Sequence, residues 1–491
     1  MKVLFVESRL GSANWGLNFN VGIASMTGIL NKYGHEADIF VVFTTQDILK
    51  LIQLIKNYEP DIIGFSFTES TFPGVKKISK KIKSKFPNLY IIGGGVYCIF
   101  APQEIISCKS LDAICIGEGE YALLDLLKNF HNKNLLLKTK DFWFRHYKKI
   151  IKNPKSPPIN INLLPEPNRK IFNTKKLDIY QGSLFFLPNK KGGCFSMSRG
   201  CIFSCSYCAS PTLASLSGGF SKYFRLLDPK QGIQQIQKAI KSYHYEYIIF
   251  LDDTFTLNKD WFNTFSKLYK KHIKLPYHCQ LRIGTFTKET ALQLKKSGCD
   301  SVSFGLESGD PELRTTILNK DISDEQIKNG VLLLKNAGLK VASYNMIGIP
   351  GETPEKLLKT IKLNAEINID KLYYFIFHPY KGTKIYDMCL KKNILTKQTS
   401  SFIDREDTLL KMKEFNETDI RYFKDKFLIL YNLRKIKSKN YIYIHISKLL
   451  FIYHALPPSS TYSKIIKFIL NNHIVDSFTN HFLSLNKYNA T

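Results

Sequence analysis

Cysteine is scarce in this chain, with ten residues in 491. So thin a supply excludes the dense, even framework of a small secreted disulfide fold and points to a reducing, cytoplasmic compartment. No run of about 18 uncharged apolar residues occurs, so no membrane-spanning helix is expected. The opening "MKVLFVESRL" has a short apolar run followed at once by charge, and reads as a first strand rather than a signal peptide. Acidic residues are also few, 41 against 70 lysines and arginines, for a formal charge of +29. That surplus raises the question of a nucleic-acid partner. The lysines are spread along the whole chain among Asn, Ile and Tyr, as a compositional bias produces, so no nucleic-acid partner is expected. No internal repeat or low-complexity segment is present. No G-x-G-x-x-G follows the first strand, where the loop reads "SRLGSANWGLN", and a dinucleotide fingerprint is thereby excluded.

What is present is a long chain with 44% hydrophobic and 13% aromatic residues, enough for two or three packed domains. Residues 2–130 alternate short β-rich runs (2–8, 37–42, 62–67, 89–94 and 113–118) with helical patterns at Gly22–Tyr33, Gln46–Tyr58, Pro73–Phe86 and Glu120–Asn132. The runs are nearly continuous in apolar character, as strands covered on both faces are. This predicts a Rossmann-like, doubly wound parallel sheet over 1–132. Residues 133–192, rich in Pro, Asn and Lys, read as a linker in which a short hairpin remains open. A second series follows, with strands at 195–199, 247–253, 278–283, 301–306, 341–348 and 372–378 separated by helices. Six units predict a partial (β/α)6 barrel over 193–395 rather than a closed eight-unit one. The remainder, 396–491, reads as helical; its stretch 441–456 is expected to pack on the barrel rather than lie on a surface.

Three of the ten cysteines fall in "CIFSCSYC" as Cys201, Cys205 and Cys208, just after the first barrel strand, at the mouth where such barrels carry chemistry. Structural zinc commonly takes four ligands in two separated pairs. Cys194 is the available fourth, but its place before the strand puts it at the barrel's other end. Three thiolates suit a cubane iron–sulfur cluster with one iron left open for a substrate. Acids and a guanidinium share the same address at strand C-termini: Asp252 and Asp253, Arg282, and Glu307.

The C-x3-C-x-Y-C pattern resembles the signature of the radical S-adenosylmethionine enzymes, and that family's partial barrel matches the six units. The resemblance implies a [4Fe–4S] cluster on Cys201, Cys205 and Cys208. Its open iron would chelate S-adenosylmethionine, and an electron from the cluster would cleave the sulfonium to a 5′-deoxyadenosyl radical. It also implies S-adenosylmethionine contacts at Tyr207, at Asp252 and Asp253 for the ammonium (the family's common G-G-E form is absent), at Arg282 for the carboxylate, at Glu307, and along the backbone of Ile347 and Gly348. A low-potential electron donor of the flavodoxin or ferredoxin type is implied as a partner.

The segments "NVGIASMTGILNKYGHEADIF", "PDIIGFSFTES", "IIGGGVYCIFAPQEI" and "ICIGEGEYALLDLL" resemble the cobalamin-binding domain fused to many of these enzymes. By that resemblance Ser66, Thr68, Gly93, Gly94, Gly95, Gly117, Glu118 and Gly119 would line the cofactor. The D-x-H-x-x-G motif that gives cobalt a histidine is missing, and His35 lies at the sheet's other end. Cys98, Cys108 and Cys115, separated by nine and six residues, do not match the extra trio of the methylthiotransferases and are expected to be buried and inert. The resulting expectation is a cobalamin-dependent radical enzyme that methylates an unactivated carbon of a small molecule. The alternatives are a radical cyclase or rearrangement enzyme with the same cofactors, and a non-catalytic cobalamin- or cluster-binding sensor. The substrate itself is not legible; His378 and Tyr380, after the sixth strand, are candidates to face it.

Overall fold

The computed structural model describes residues 1–10, 19–172, 186, 190–397, 406–436, 441–459 and 472–488. The loop 11–18, in which the missing glycine fingerprint and the missing histidine were read, lies outside the described residues, as do parts of the linker and of the C-terminal region.

The N-terminal sheet holds β1 (Lys2–Ser8), β2 (Glu36–Val42), β3 (Ile62–Ser66), β4 (Tyr90–Gly94), β5 (Ala113–Cys115), β6 (Phe142–His146) and β7 (Lys149–Lys152), in the order β2-β1-β3-β4-β5-β6-β7. The first five are parallel, as expected, with Phe5 facing Ile39 on one side and Gly64 on the other. Chain order reverses between β1 and β3, which makes the C-terminal edge there a ligand crevice. The hairpin left open in the linker exists: β6 pairs antiparallel to β5, and β7 to β6. Its signal is the alternation in "FWFRH", where Phe142 and Phe144 are buried and Trp143 and Arg145 are only partly so. Helix starts are fixed locally. Asn20 caps Val21–Lys32 by accepting from Ile23 N at 3.0 Å.

The second sheet is a half-barrel, entirely parallel, in the order β15-β14-β13-β12-β11-β8. Its strands are β8 (Gly192–Phe195), β11 (Tyr247–Phe250), β12 (Tyr277–Leu281), β13 (Cys299–Glu307), β14 (Lys340–Ile347) and β15 (Lys371–Ile376). Two short strands, β9 (Ser198–Arg199) and β10 (Arg225–Leu226), pair antiparallel at its mouth. The first barrel strand starts three residues earlier than the sequence suggested, so Cys194 lies inside β8 and is buried rather than preceding it. Gly193 permits this: a Cβ there would sit 2.6 Å from the Tyr245 ring. The strand also ends earlier, because Met197 N–H leaves the ladder to bond the Asp252 carboxylate at 3.0 Å.

The two sheets share apolar cores. Phe172, Cys194, Tyr247 and Ile249 pack in one cluster with Val3, Phe5 and Phe19. Arg169 is buried in the seam, 4.4 Å from the Phe19 ring and 4.1 Å from the Phe195 ring, and donates to the Cys194 carbonyl at 2.5 Å. Helix Glu417–Lys435 covers the last strands, burying Ile420, Phe423 and Phe427 against Ile347, Leu357 and Ile376. Helix Tyr441–Ala455 packs on that helix, with Leu450 beside Leu433 and Phe482, and its Phe451 and Ala455 lie against the cluster that holds Ile347 and Ile376. No described helix is long and apolar enough to cross a membrane.

Candidate functional site

The C-terminal edge of the first sheet faces the mouth of the half-barrel. A cavity of about 400 Å³ at the sheet edge is lined by Ser66, Gly93, Gly94, Gly95, Gly117, Glu118 and Gly119, all sequence-expected, with Phe5, Met26 and Phe142 as apolar floor. A second, of about 420 Å³, lies toward the barrel and reaches Asp252, Asp253 and Tyr223; Glu118, Ser196, Arg199 and Leu213 line both. Thr68 falls outside these two. It lines a third cavity, of about 260 Å³, together with Tyr207, Tyr97 and Tyr380.

The glycines of the sheet edge have different reasons for being glycine. Gly95 sits at φ 103°, and a Cβ there would be 2.5 Å from the Phe67 carbonyl; at Gly117 a Cβ would be 2.2 Å from Asp141 Oδ1. Both are imposed by the protein's own packing. At Gly94 a Cβ would meet nothing nearer than 3.8 Å, so its bare backbone is open toward the cavity.

Cys201, Cys205 and Cys208 lie on one loop between β9 and helix Ser210–Leu216. Burial raises the Cys201 and Cys208 thiols, backbone hydrogen bonds at Phe203 and Ser210 oppose the rise, and the neighbouring Asp253 adds to it. Ser210 N donates to Cys208 Sγ at 3.4 Å. Arg282 donates to Cys205 Sγ at 3.4 Å while its guanidinium lies 4.1 Å from the Phe203 ring, so this cation is held in the cysteine loop. Among the described residues, no three His, Cys, Asp or Glu side chains converge tightly enough to hold one metal ion. A cubane makes a different demand, one thiolate for each of three irons, and three cysteines on a single loop beside a cation fit it.

Glu307 ends β13 in the left-handed region, at φ 66°. Its carboxylate accepts from Tyr207 OH at 3.1 Å and pairs with the buried Lys320 at 3.3 Å. Gly305 makes room, since a Cβ there would be 2.0 Å from Glu307 Oε1. Burial and the Glu307 charge push the Tyr207 phenol well above its usual range, so it stays a donor. Removing the acid would strand a buried ammonium. Glu307→Ala is therefore expected to cost about 3–5 kcal/mol in chemical unfolding. Glu307→Gln, which keeps an acceptor for Tyr207 and Lys320, is expected to cost less than half of that.

The two aspartates part company. Asp252 is buried, and its carboxylate accepts from Met197 N, Ser198 N and Ser198 Oγ. Burial lifts it to about 6 against those hydrogen bonds. It shapes the exit of β8. Asp253 is exposed to the cavity and stands near the cysteines. Ile347 turns its side chain to the helices, and its carbonyl accepts from Phe377 N at 2.8 Å. Gly348, at φ 85°, donates to Glu352 at 2.6 Å. His378 is buried with its ring 4.4 Å from that of Tyr380.

Sequence reading missed Lys320, Glu352 and the arginine pair Arg199 and Arg225. Glu352 carried a weak signal, as the acid of "GIPGET" just before a helix start at Thr353. Arg199 carried none apart from its closeness to Cys201, because its partners are some 80 residues away.

The comparisons with known proteins agree with this geometry. Residues 195–363 match the model of the radical SAM superfamily, and residues 16–127 that of the B12 binding domain. An uncharacterised methyltransferase of Pyrococcus horikoshii is 28% identical over 427 residues, covering 84% of this chain and 88% of that protein. An anaerobic magnesium-protoporphyrin IX monomethyl ester cyclase of Rubrivivax gelatinosus is 24% identical over 399 residues, 79% of this chain and 69% of that protein. The radical S-adenosylmethionine methyltransferase TsrM of Kitasatospora setae, solved with cobalamin and a [4Fe-4S] cluster, superposes with a TM-score of 0.61 at 14% identity, over 81% of this chain and 79% of that one. This chain belongs to the radical S-adenosylmethionine superfamily and carries a B12-binding domain in front of its radical domain.

Proposed function

We propose that the protein methylates an unactivated carbon of a small molecule held between the sheet edge and the barrel mouth. The family's cofactors are a [4Fe-4S] cluster, S-adenosylmethionine and cobalamin. When bound, they supply an electron for sulfonium cleavage, a 5′-deoxyadenosyl radical and a methyl carrier. Cys201, Cys205 and Cys208 would hold the cluster, and Tyr207, Asp253, Arg282, Glu307 and the backbone at Ile347 and Gly348 would surround S-adenosylmethionine. Ser66, Gly93, Gly94 and Gly95 would face cobalamin. A donor of the flavodoxin or ferredoxin type would deliver the electron, and the excess of 70 basic over 41 acidic residues suits an acidic partner.

The carrying observation is that the cofactor crevice and the barrel mouth open onto adjoining cavities with six lining residues in common, Ile99, Gly117, Glu118, Ser196, Arg199 and Leu213. Methyl transfer needs both cofactors to reach one substrate. Anaerobic turnover of the reconstituted, cobalamin-loaded protein with reductant tests the reading. Formation of S-adenosylhomocysteine together with 5′-deoxyadenosine is expected, and absence of both rejects it. A radical cyclase is the second reading, favoured by the cyclase relative that covers 79% of the chain. Deoxyadenosine without the homocysteine product would select it.

A further inference from the structure

The ion cluster between the two domains does more than fill a seam. Glu118, at the sheet edge, accepts at Oε1 from Arg199 Nη1 (3.1 Å) and Arg225 Nη2 (2.9 Å), and at Oε2 from Arg225 Nη1 (2.7 Å) and Ile159 N (2.8 Å). An ionised carboxylate has about four acceptor sites, and here all are taken. Burial would raise this acid, but hydrogen bonding and charge from Arg225 and Arg199 hold it below the usual carboxylate range. Arg199 also pairs with Glu120, which is 4% exposed, and reaches Ser25 Oγ at 3.5 Å. Arg199 and Arg225 stand directly opposite each other on the β9–β10 ladder. Two like charges so placed repel, unless acids from elsewhere lie between them.

We infer that Arg199 is a positioning residue that fixes the cysteine loop to the cobalamin-side sheet edge, with Glu118 and Glu120 as its anchors and Arg225 completing the cluster. Arg199 lies two residues before Cys201, and Glu118 and Glu120 begin the last edge loop and its helix. Their contacts therefore set the distance between the two halves of the site. Glu118 acts through this clamp and not by bonding a cofactor amide, because it has no acceptor site left. The planar fork matters, since one guanidinium meets two separate carboxylates, which a lysine ammonium does not reproduce.

The inference rests on the proposed function only for what the clamp aligns; the clamp itself stands on protein contacts, and its test needs no cofactor. The experiment is hydrogen–deuterium exchange of the full chain, comparing wild type with Glu120→Gln, Arg199→Gln and Arg199→Lys. Glu120 lies in one domain and the cysteine loop in the other, so a merely local effect stays near residue 120. The expected result is about tenfold or greater acceleration of exchange over residues 199–208 in Glu120→Gln. Arg199→Lys should fail to restore protection. Lys238→Gln, which breaks the exposed pair with Glu166 (2.6 Å), should leave that segment unchanged. If Arg199→Gln does not fold, Glu120→Gln alone decides. Unchanged exchange over 199–208 in Glu120→Gln, or full protection in Arg199→Lys, overturns the inference. Failure of turnover with these protections intact would count against the proposed function alone.

Discussion

Alanine at Cys205 is expected to leave the anaerobically reconstituted protein with background iron and sulfide and no detectable cleavage of S-adenosylmethionine. Cys205 is the most buried of the three loop cysteines, 7% exposed, and takes the hydrogen bond of Arg282. Losing it removes one of the three thiolates proposed to hold the cluster and leaves a half-buried guanidinium against Phe203 with no sulfur acceptor. A two-cysteine remnant has no third corner for a cubane. Cys194 does not replace it, because it is held within β8 in the shared core. Cys201→Ala and Cys208→Ala are expected to give the same loss, whereas Cys98→Ala, in the first sheet's core, should retain full iron. Iron assay and the visible spectrum decide this. Full cluster content in Cys205→Ala would remove the loop from the chemistry.

The second large effect concerns pH. Glu352 is 1% exposed, and its Oε2 accepts from Gly348 N at 2.6 Å and from Ile349 N at 3.3 Å. Its Oε1 has no partner among the described residues. Burial pushes this carboxyl up to about 8, against the two backbone hydrogen bonds, from an ordinary 4.5. The folded protein thus keeps a proton that the unfolded chain gives up near pH 4.5. Between those two values the unfolded state binds fewer protons, so stability falls as pH rises through that window and levels off above it. At about 1.4 kcal/mol per unit, the loss is of the order of a few kcal/mol. Glu352→Gln keeps the acceptor for Gly348 and removes the titration. Its denaturation midpoint is expected to overtake that of wild type as pH is raised toward 8, with the difference shrinking in acid. Identical pH profiles would show that the acid is not buried as described. Glu352→Ala, which strands two buried N–H groups, is expected to cost about 2–5 kcal/mol in acid, and the cost should shrink as pH rises toward 8, where wild type loses its own stability.

How far the sequence reached differs between scaffold and site. The strands at 2–8 and 62–66 and the helix at Lys288–Ser297 were legible because periodicity and caps are local. The β6–β7 hairpin is only an open possibility in the sequence because Pro- and Asn-rich neighbours on its C-terminal side mask five alternating residues. Cys194 reads as preceding the strand for a related reason. Glycines read as strand breakers, yet Gly192 and Gly193 extend β8, and at Gly193 the Tyr245 ring needs the room. In the site, the cysteine loop and Glu307 announced themselves by spacing and address. The roles of the two aspartates did not, because adjacent acids look alike until one is seen holding Met197 and Ser198. Lys320 and Arg199 act on partners that only the fold brings near.

The apolar cluster that joins Val3 and Phe5 to Tyr247 and Ile249 constrains how a large ligand enters. A clamshell opening would drag these side chains into water and pull Arg169 from between its rings. The molecule should therefore melt as one block, with a single endotherm spanning both halves. A bulky macrocycle would have to slide in along the rim while loops yield locally, instead of waiting for a hinge to swing.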